Sequence, residues 1–262
     1  MDNLVNIDIF ILARMGSSRF PEKILSNIDG KPAIKFIHDR LKNIKEIRKI
    51  VVCTTDKKED DKLVDFLKDE NIEYFRGSEK DVLKRFLDAA HKFNTDIIID
   101  VEGDKIFTDP IFVKKTVQEM LDSDIDFCTG SSSKIFFDTY FAIHGFMPAG
   151  IRVGALKKIV EMKKTKDTET GYKEFFTEND FIKSKYIVPD KINYPKNLRL
   201  FLDYEEDLKF AVEVIKRLNK NFNYNDVLRI VNENPELIKI VEPAVEKWKK
   251  NYLKKRTNYL LG

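Results

Sequence analysis

A short apolar run, Ile7–Leu12, opens without a break into ARMGSSRFPEKIL at positions 13–25. The run reads as a strand buried on both faces, the kind that belongs to a parallel sheet. Parallel neighbours need crossover connections, so this start commits the chain to an alternating α/β layout. The residues after the strand are small or cationic. Ala13, Gly16, Ser17 and Ser18 let backbone N–H groups come close to a bound anion. Arg14, Arg19 and Lys23 repel one another unless negative charge sits between them, and a nucleoside triphosphate supplies such charge. The competing reading is a solvated basic turn; the joint occurrence of strand, small-residue loop and spaced cations favours an anion site. Neither G-x-x-x-x-G-K-[ST] nor G-x-G-x-x-G occurs, which excludes a Walker loop and a dinucleotide fingerprint.

Strand and helix patterns then alternate. After the turn Asp29-Gly30-Lys31-Pro32, a helix over 33–42 carries Ile34, Ile37 and Leu41 on one face. Residues 49–55 read as a second buried strand, 60–70 as an amphipathic helix with Leu63, Val64 and Leu67 inward, and 72–75 as a short strand. Ser78 is expected to cap the next helix, with Asp81 at its third position. A central strand over 97–99 leads to Val101-Glu102-Gly103-Asp104, at the carboxyl end where open α/β sheets bind ligands. Further on, 110–121 reads as a helix, 126–129 as a strand and 130–133 as a flexible turn. Residues 136–154 look apolar, aromatic and irregular, 156–162 helical, and 163–170 a solvated charged loop. A basic amphipathic stretch over 241–261, around Trp248, is expected to pack on the domain or on a partner subunit. His38, His91 and His144 form no pattern, and the first two fall on helices as structural residues.

Composition narrows the function classes. The 262 residues are 42% hydrophobic and 35% charged, enough for a sizeable core in one large α/β domain or two small ones. Net charge is only +3, from 47 basic and 44 acidic residues, which argues against a general nucleic-acid coat. Cys53 and Cys128 lie in apolar runs and read as buried strand residues, so neither a disulfide framework nor a zinc site follows. No apolar run approaches the ~20 residues needed to span a bilayer. The opening MDNLVNID lacks the charged and apolar parts of a signal peptide, so the expected location is cytoplasmic, without membrane insertion.

Four phrases carry a resemblance to a known family. Residues 13–25 match A-R-x-G-S-x-R-hydrophobic-P-x-K-hydrophobic-L, and RGSEKDVLKRF at 76–86 matches G-S-x-x-D-V-L-x-R followed by an aromatic residue. Val101 to Asp104 matches V-Q-G-D with Glu102 in place of Gln, and RLFLDYEEDL at 199–208 matches R-L-T-L-D-x-x-E-D-L. The chain resembles the cytidylyltransferases that make CMP-activated sugars, in particular the SpsF-like branch of spore coat polysaccharide biosynthesis, related to CMP-Kdo and acylneuraminate cytidylyltransferases.

That resemblance implies an α/β nucleotide-diphospho-sugar transferase (Rossmann-like) fold, with a mixed, mainly parallel sheet flanked by helices. It implies a nucleotidyltransferase domain over 1–240, whose 130–190 region forms the lid, acceptor and dimer contacts, and a C-terminal helix or tail over 241–262. Arg14, Lys23, Asp104 and Asp203 become the catalytic set, with Mg²⁺ held by Asp104 and Asp203, each at the end of a strand. Nucleotide contacts would come from Ala13, Arg14, Gly16, Ser17, Ser18, Arg19 and Lys23 in the first phrase. The second phrase would add Arg76, Ser78 and Asp81, and the third Glu102 and Gly103. Glu206 and Asp207 read as helix-start residues facing the dipole. His144, Arg152 and Glu174 are the candidate acceptor contacts. The implied reaction is transfer of CMP from CTP to a small acidic acceptor with release of pyrophosphate, carried out by a homodimer. Nucleotidyl transfer to a sugar phosphate or phosphonate is the alternative; a glycosyltransferase of similar fold would need D-x-D where this chain has Glu102-Gly103-Asp104. Where the family has R-E-H-V-T, this chain has Lys173-Glu174-Phe175-Phe176-Thr177, so the family's sugar does not carry over.

Overall fold

The first apolar run forms β1 (Ile7–Leu12), and its side chains alternate between two cores. Ile9 and Ile11 join one with Ile34, Ile37, Val101 and Phe112; Phe10 joins the other with Val51, Leu83, Phe86 and Ile98. Burial on both faces is why the run is almost wholly apolar. Its one charged residue, Asp8, is buried and satisfied. Arg48 donates to it from Nε at 3.0 Å and Nη2 at 2.6 Å, and Thr95 Oγ1 donates at 2.6 Å.

The computed structural model describes residues 5–130, 141–169, 171–187, 194–195 and 197–255. A two-residue hairpin, β2 (Asn27–Ile28) with β3 (Lys31–Pro32), precedes α1 (Ala33–Leu41). There follow β4 (Lys49–Thr55), α2 (Asp61–Asp69), β5 (Glu73–Gly77), α3 (Val82–Phe93), β6 (Ile97–Glu102), α4 (Pro110–Asp122) and β7 (Phe127–Thr129). The second half holds α5 (Phe141–Phe146), β8 (Ala149–Arg152), α6 (Val153–Met162), α7 (Glu174–Thr177) and β9 (Ser184–Tyr186). Last come α8 (Glu205–Ile215), α9 (Tyr224–Glu233) and α10 (Glu236–Lys255). The main sheet has seven strands in the order β5-β4-β1-β6-β8-β7-β9. Its pairs are parallel except those of β8, which runs against β6 and β7. The chain leaves β1 toward β4 and β5, then returns to place β6 on the other flank of β1. The carboxyl ends of β1 and β6 therefore lie side by side, and the loops that follow them lead to α1 and α4 on one face of the sheet.

Several local expectations change. Asp81, not Ser78, is the N-cap of α3: its Oδ1 accepts from Lys84 N at 3.1 Å, and Ser78 Oγ accepts from Asp81 N at 3.1 Å. The apolar stretch expected to be irregular contains α5 and β8, and α6 starts at Val153; the flexible turn expected at 130–133 lies, beyond Gly130, outside the described residues. The charged loop at 163–170 is not simply solvated. Thr168 is buried with its Oγ1 3.2 Å from Asp81 Oδ1, and Lys163 Nζ donates to Asp81 at 2.5 Å. Residues 199–203 do not form a strand. They join no ladder; Leu202 N–H instead donates to Asp104 O at 2.8 Å. The C-terminal helix begins at Glu236, packs on α8 and buries Trp248. Among the described residues no helix is long and apolar enough to cross a membrane.

Candidate active site

The loop after β1 is held from below by a buried carboxylate. Asp60 Oδ1 accepts from Met15 N at 2.7 Å, and its Oδ2 accepts from Thr54 Oγ1, Thr55 N and Thr55 Oγ1 at 2.8, 2.9 and 2.5 Å. Asp60 thus ties the end of β4 to the loop. Asp60→Asn replaces one acceptor oxygen with an NH₂ group facing donors. We expect a loss of about 1–3 kcal/mol in stability, read as a lower Tm, together with faster hydrogen exchange at the Met15 amide.

The loop and the turn after β6 meet closely. Gly103 N–H donates to Leu12 O at 2.8 Å, and a Cβ on Gly103 would lie 2.8 Å from that same oxygen. Only a residue without a side chain lets the two backbones approach this far. The approach brings Asp104 beside Lys23, which the loop returns through a short 3₁₀ turn, Lys23–Leu25.

Lys23 Nζ lies 2.8 Å from Asp104 Oδ2 and 2.8 Å from Asp203 Oδ1. Each of these oxygens is one hydrogen bond from the same nitrogen, so they can be no farther apart than two such bonds. Asp203 is buried and has further partners: Arg19 Nη2 at 2.6 Å on Oδ1 and Arg199 Nη2 at 2.7 Å on Oδ2. Burial opposes ionisation of Asp203, yet the charges of Lys23, Arg199 and Arg19 outweigh it and hold its carboxyl well below the usual range. Lys23 is likewise raised, its two carboxylates overcoming burial. Asp207 aims this acid from beneath. Its Oδ2 accepts from the backbone N–H of Asp203 at 2.8 Å and Tyr204 at 2.9 Å, while its Oδ1 accepts from Arg199 Nε at 2.9 Å. Asp207 is thus a positioning residue, and Glu206 pairs outward with Lys247.

A second charged group lines the cavity beyond β6. Glu102 Oε1 sits between Lys173 Nζ at 2.6 Å and Lys105 Nζ at 2.7 Å, and Lys173 also lies 3.2 Å from Asp100 Oδ2. Tyr172 donates its hydroxyl to Asp100 Oδ2 at 2.8 Å. Burial disfavours the Glu102 carboxylate, but Lys105 and Lys173 hold its carboxyl well below the usual range. His144 is buried nearby; burial first, then Lys105 and Lys173, push it well below its usual value, so it is neutral at pH 7.

The cavity has a volume of about 320 Å³. Its walls bring together Ala13, Arg14, Ser17, Ser18, Arg19 and Lys23 with Glu102, Asp104 and Asp203, and also reach His144 and Glu174. Arg14 pairs there with Glu169, from the loop expected to be solvated. Other expected contacts lie elsewhere. Arg76 donates to Thr55 O at 2.9 Å, Lys57 O at 2.7 Å and Asp61 Oδ1 at 2.7 Å, so its guanidinium braces the turn after β4. Ser78 and Asp81 build the start of α3, and Gly16 fits beside Glu59, where a Cβ would meet Oε2 at 2.9 Å. Arg152 is at the wrong end of the sheet for an acceptor contact. Antiparallel β8 pairs it with Ile97, the first residue of β6, and it donates to Ile125 O at 3.0 Å and Met120 O at 2.9 Å. Reading the sequence alone missed Arg85, Lys105, Tyr172 and Lys173 on the cavity wall. Lys173 had a signal, the departure from R-E-H-V-T, but not a direction.

Asp104 and Asp203 fit a hard divalent cation on the donor set this structure shows. An ammonium already lies between them, and Asp104 Oδ1 is buried without a hydrogen bond. Among the described residues no cluster of three or more His, Cys, Asp or Glu occurs. A cation held here would rely on two carboxylates and complete its shell with water and phosphate, as Mg²⁺ does.

A mixed, mainly parallel sheet with its cavity at the carboxyl ends of β1 and β6, a cation-bearing loop after the one and paired acids beside the other define an α/β nucleotidyltransferase fold. The chain belongs to the cytidylyltransferase family, whose model matches residues 9–234, and is a CTP-dependent nucleotidyltransferase. It is similar to the structure of a cytidylyltransferase from Leptospira borgpetersenii, at 30% identity and TM-score 0.79, over 89% of this chain and 97% of that one. It is 24% identical to the spore coat polysaccharide biosynthesis protein SpsF of Bacillus subtilis, over 88% of this chain and 97% of that protein. An 8-amino-3,8-dideoxy-manno-octulosonate cytidylyltransferase of Shewanella pealeana matches at 30% identity over 118 residues, 43% of this chain and 46% of that protein.

Proposed function

We propose that this protein transfers CMP from CTP to a hydroxyl of an acidic sugar, with Mg²⁺ held by Asp104 and Asp203. The observation that carries the proposal is the Lys23 ammonium shared by those two carboxylates at the mouth of the small-residue loop. Such transfer depends on positioning and charge neutralisation more than on covalent help from the protein. The acceptor oxygen attacks the α-phosphorus and pyrophosphate leaves. Arg14, Arg19 and Lys23 take the charge of the β- and γ-phosphates and of the departing pyrophosphate. Mg²⁺, when bound, polarises the α-phosphate and acidifies the attacking hydroxyl. On the wall beyond β6, Lys105 and Lys173 share Glu102 and Lys173 also meets Asp100, so in this reading an acceptor carboxylate, such as an octulosonate carries, competes for these ammonium groups. Neutral His144 and buried Glu174 complete that wall. Cytoplasm, where nucleoside triphosphates are held, is the compartment this reading requires, and a homodimer is its assembly, checked by light scattering.

Mass spectrometry of products formed from CTP and a panel of acidic sugars, sugar phosphates and phosphonates tests the acceptor. A CMP-linked sugar acid with stoichiometric pyrophosphate supports the reading; product only from phosphorylated acceptors replaces it. For the nucleotide, calorimetry with Mg²⁺ should show CTP bound at least tenfold more tightly than ATP, GTP or UTP, about 1.4 kcal/mol. Equal affinities would contradict it.

A further inference from the structure

Helix α10 carries an aromatic side chain back to the acids. The family match ends at residue 234 and α10 begins at Glu236, so this helix lies beyond the match. Its first turns are anchored in the larger core through Leu237, Ile238 and Val241. Farther along, Lys247 Nζ donates to Glu206 Oε1 at 2.7 Å and lies 5.8 Å from the centre of the Tyr204 ring. The next residue, Trp248, is 7% exposed and lines the cavity with Lys105, Phe201 and Asp203.

What Trp248 covers is Arg199. Among the described residues, three rings stand within cation–π range of the guanidinium carbon: Phe201 at 5.3 Å, Trp248 at 5.6 Å and Tyr204 at 5.8 Å. Phe201 and Tyr204 flank Asp203 in the chain, whereas Trp248 arrives from another element. Arg199 is fully buried, with Nε on Asp207 Oδ1 and Nη2 on Asp203 Oδ2. The second bond decides which way Asp203 faces. With Oδ2 held by Arg199, Oδ1 is the oxygen turned to Lys23 at 2.8 Å and Arg19 at 2.6 Å. Water reaching the guanidinium would compete for these acids and weaken their attraction by raising the local dielectric. The rings keep water out and attract the cation through their faces. Loss of the Trp248 ring therefore loosens Arg199 and lets the Asp203 carboxylate turn, although every charged residue is still present.

We propose that Trp248 is a positioning residue of the active site: from α10 it covers Arg199 and so fixes the Asp203 oxygen offered to the metal. The proposal rests on the metal reading above, and the experiment separates the two. Electron paramagnetic resonance of free Mn²⁺ is run without nucleotide on full-length Lys23→Ala protein, whose acids are open to metal. The same protein is then combined with Trp248→Leu, Trp248→Phe, Val241→Ala or Asp203→Asn. Trp248→Leu weakens Mn²⁺ binding roughly tenfold, while Trp248→Phe, which keeps a ring over Arg199, stays within about threefold of the parent. Val241→Ala trims the same helix where it meets the core, so it lowers Tm and leaves Mn²⁺ affinity unchanged. Unchanged Mn²⁺ affinity in Trp248→Leu overturns the proposal alone. So does an equal fall in Val241→Ala, which would give Trp248 to the fold. If Trp248→Leu does not fold, Trp248→Met, which fills more of the space without a ring, decides in the same way. No Mn²⁺ binding by the Lys23→Ala protein, or binding that Asp203→Asn leaves unchanged, overturns the metal reading and the proposal together.

Discussion

Asp104→Asn and Asp203→Asn each lower turnover by on the order of 10³-fold and raise the Mg²⁺ requirement steeply, because a cation shared by two acids loses its geometry when either charge is removed. Both substitutions keep size and hydrogen-bonding capacity, so lost packing is a poor rival explanation. Asp104 gives the cleaner result, since its described ion pair is with Lys23 alone. Asp203 also serves Arg19 and Arg199, so Asp203→Asn loses stability as well. Asp207→Asn provides the contrast. Asp207 is buried against Arg199 and aims the Asp203 backbone, so its loss appears mainly as a lower Tm, about 3–5 kcal/mol for a broken buried pair. Mg²⁺ titrations at saturating CTP, with thermal melts alongside, separate these patterns. Normal Mg²⁺ dependence in Asp104→Asn would remove the metal site from the mechanism.

Lys23→Ala and Arg14→Ala each reduce turnover by roughly 10²–10³-fold, about 2.7–4 kcal/mol, the range for losing one charge-stabilising donor. The two then differ in a way the geometry dictates. Arg14 pairs with Glu169, whereas Lys23 occupies the oxygens a metal would use. Lys23→Ala should therefore bind Mn²⁺ without nucleotide more tightly than the wild type while turning over more slowly; Arg14→Ala should not. Electron paramagnetic resonance of free Mn²⁺ reads the first effect and pyrophosphate release the second. Wild-type turnover in Lys23→Ala, with circular dichroism intact, would contradict the assignment.

Much of this was readable in the chain because the signals were local. The strand at Ile7–Leu12 and the cationic loop after it are contiguous in sequence, and strand 49–55 formed with the predicted bounds. What could not be read depends on partners far away in sequence. RLFL at 199–202 has the composition of a strand, but its backbone meets the Asp104 carbonyl instead of a neighbouring ladder. Arg152 was a candidate acceptor contact, but the direction of β8, fixed by pairing with β6 and β7, puts it beside the first residue of β6. Asp60 looks like an ordinary helix-start acid until Met15 is seen to fold back onto it. Asp207 was legible as a helix-start acid, but not as the support for Asp203.

The link between Leu202 and the Asp104 carbonyl joins two segments that are distant in the chain. The two acids are separated by about a hundred residues, and contacts of such long range form late because the intervening chain must first be closed into a loop. A chain folded only through α4 has the cationic loop and Asp104 but lacks Asp203. Docking of the 199–207 segment, with Arg199 buried between Asp203 and Asp207, supplies the second acid, so the pair is complete only once this long loop has closed.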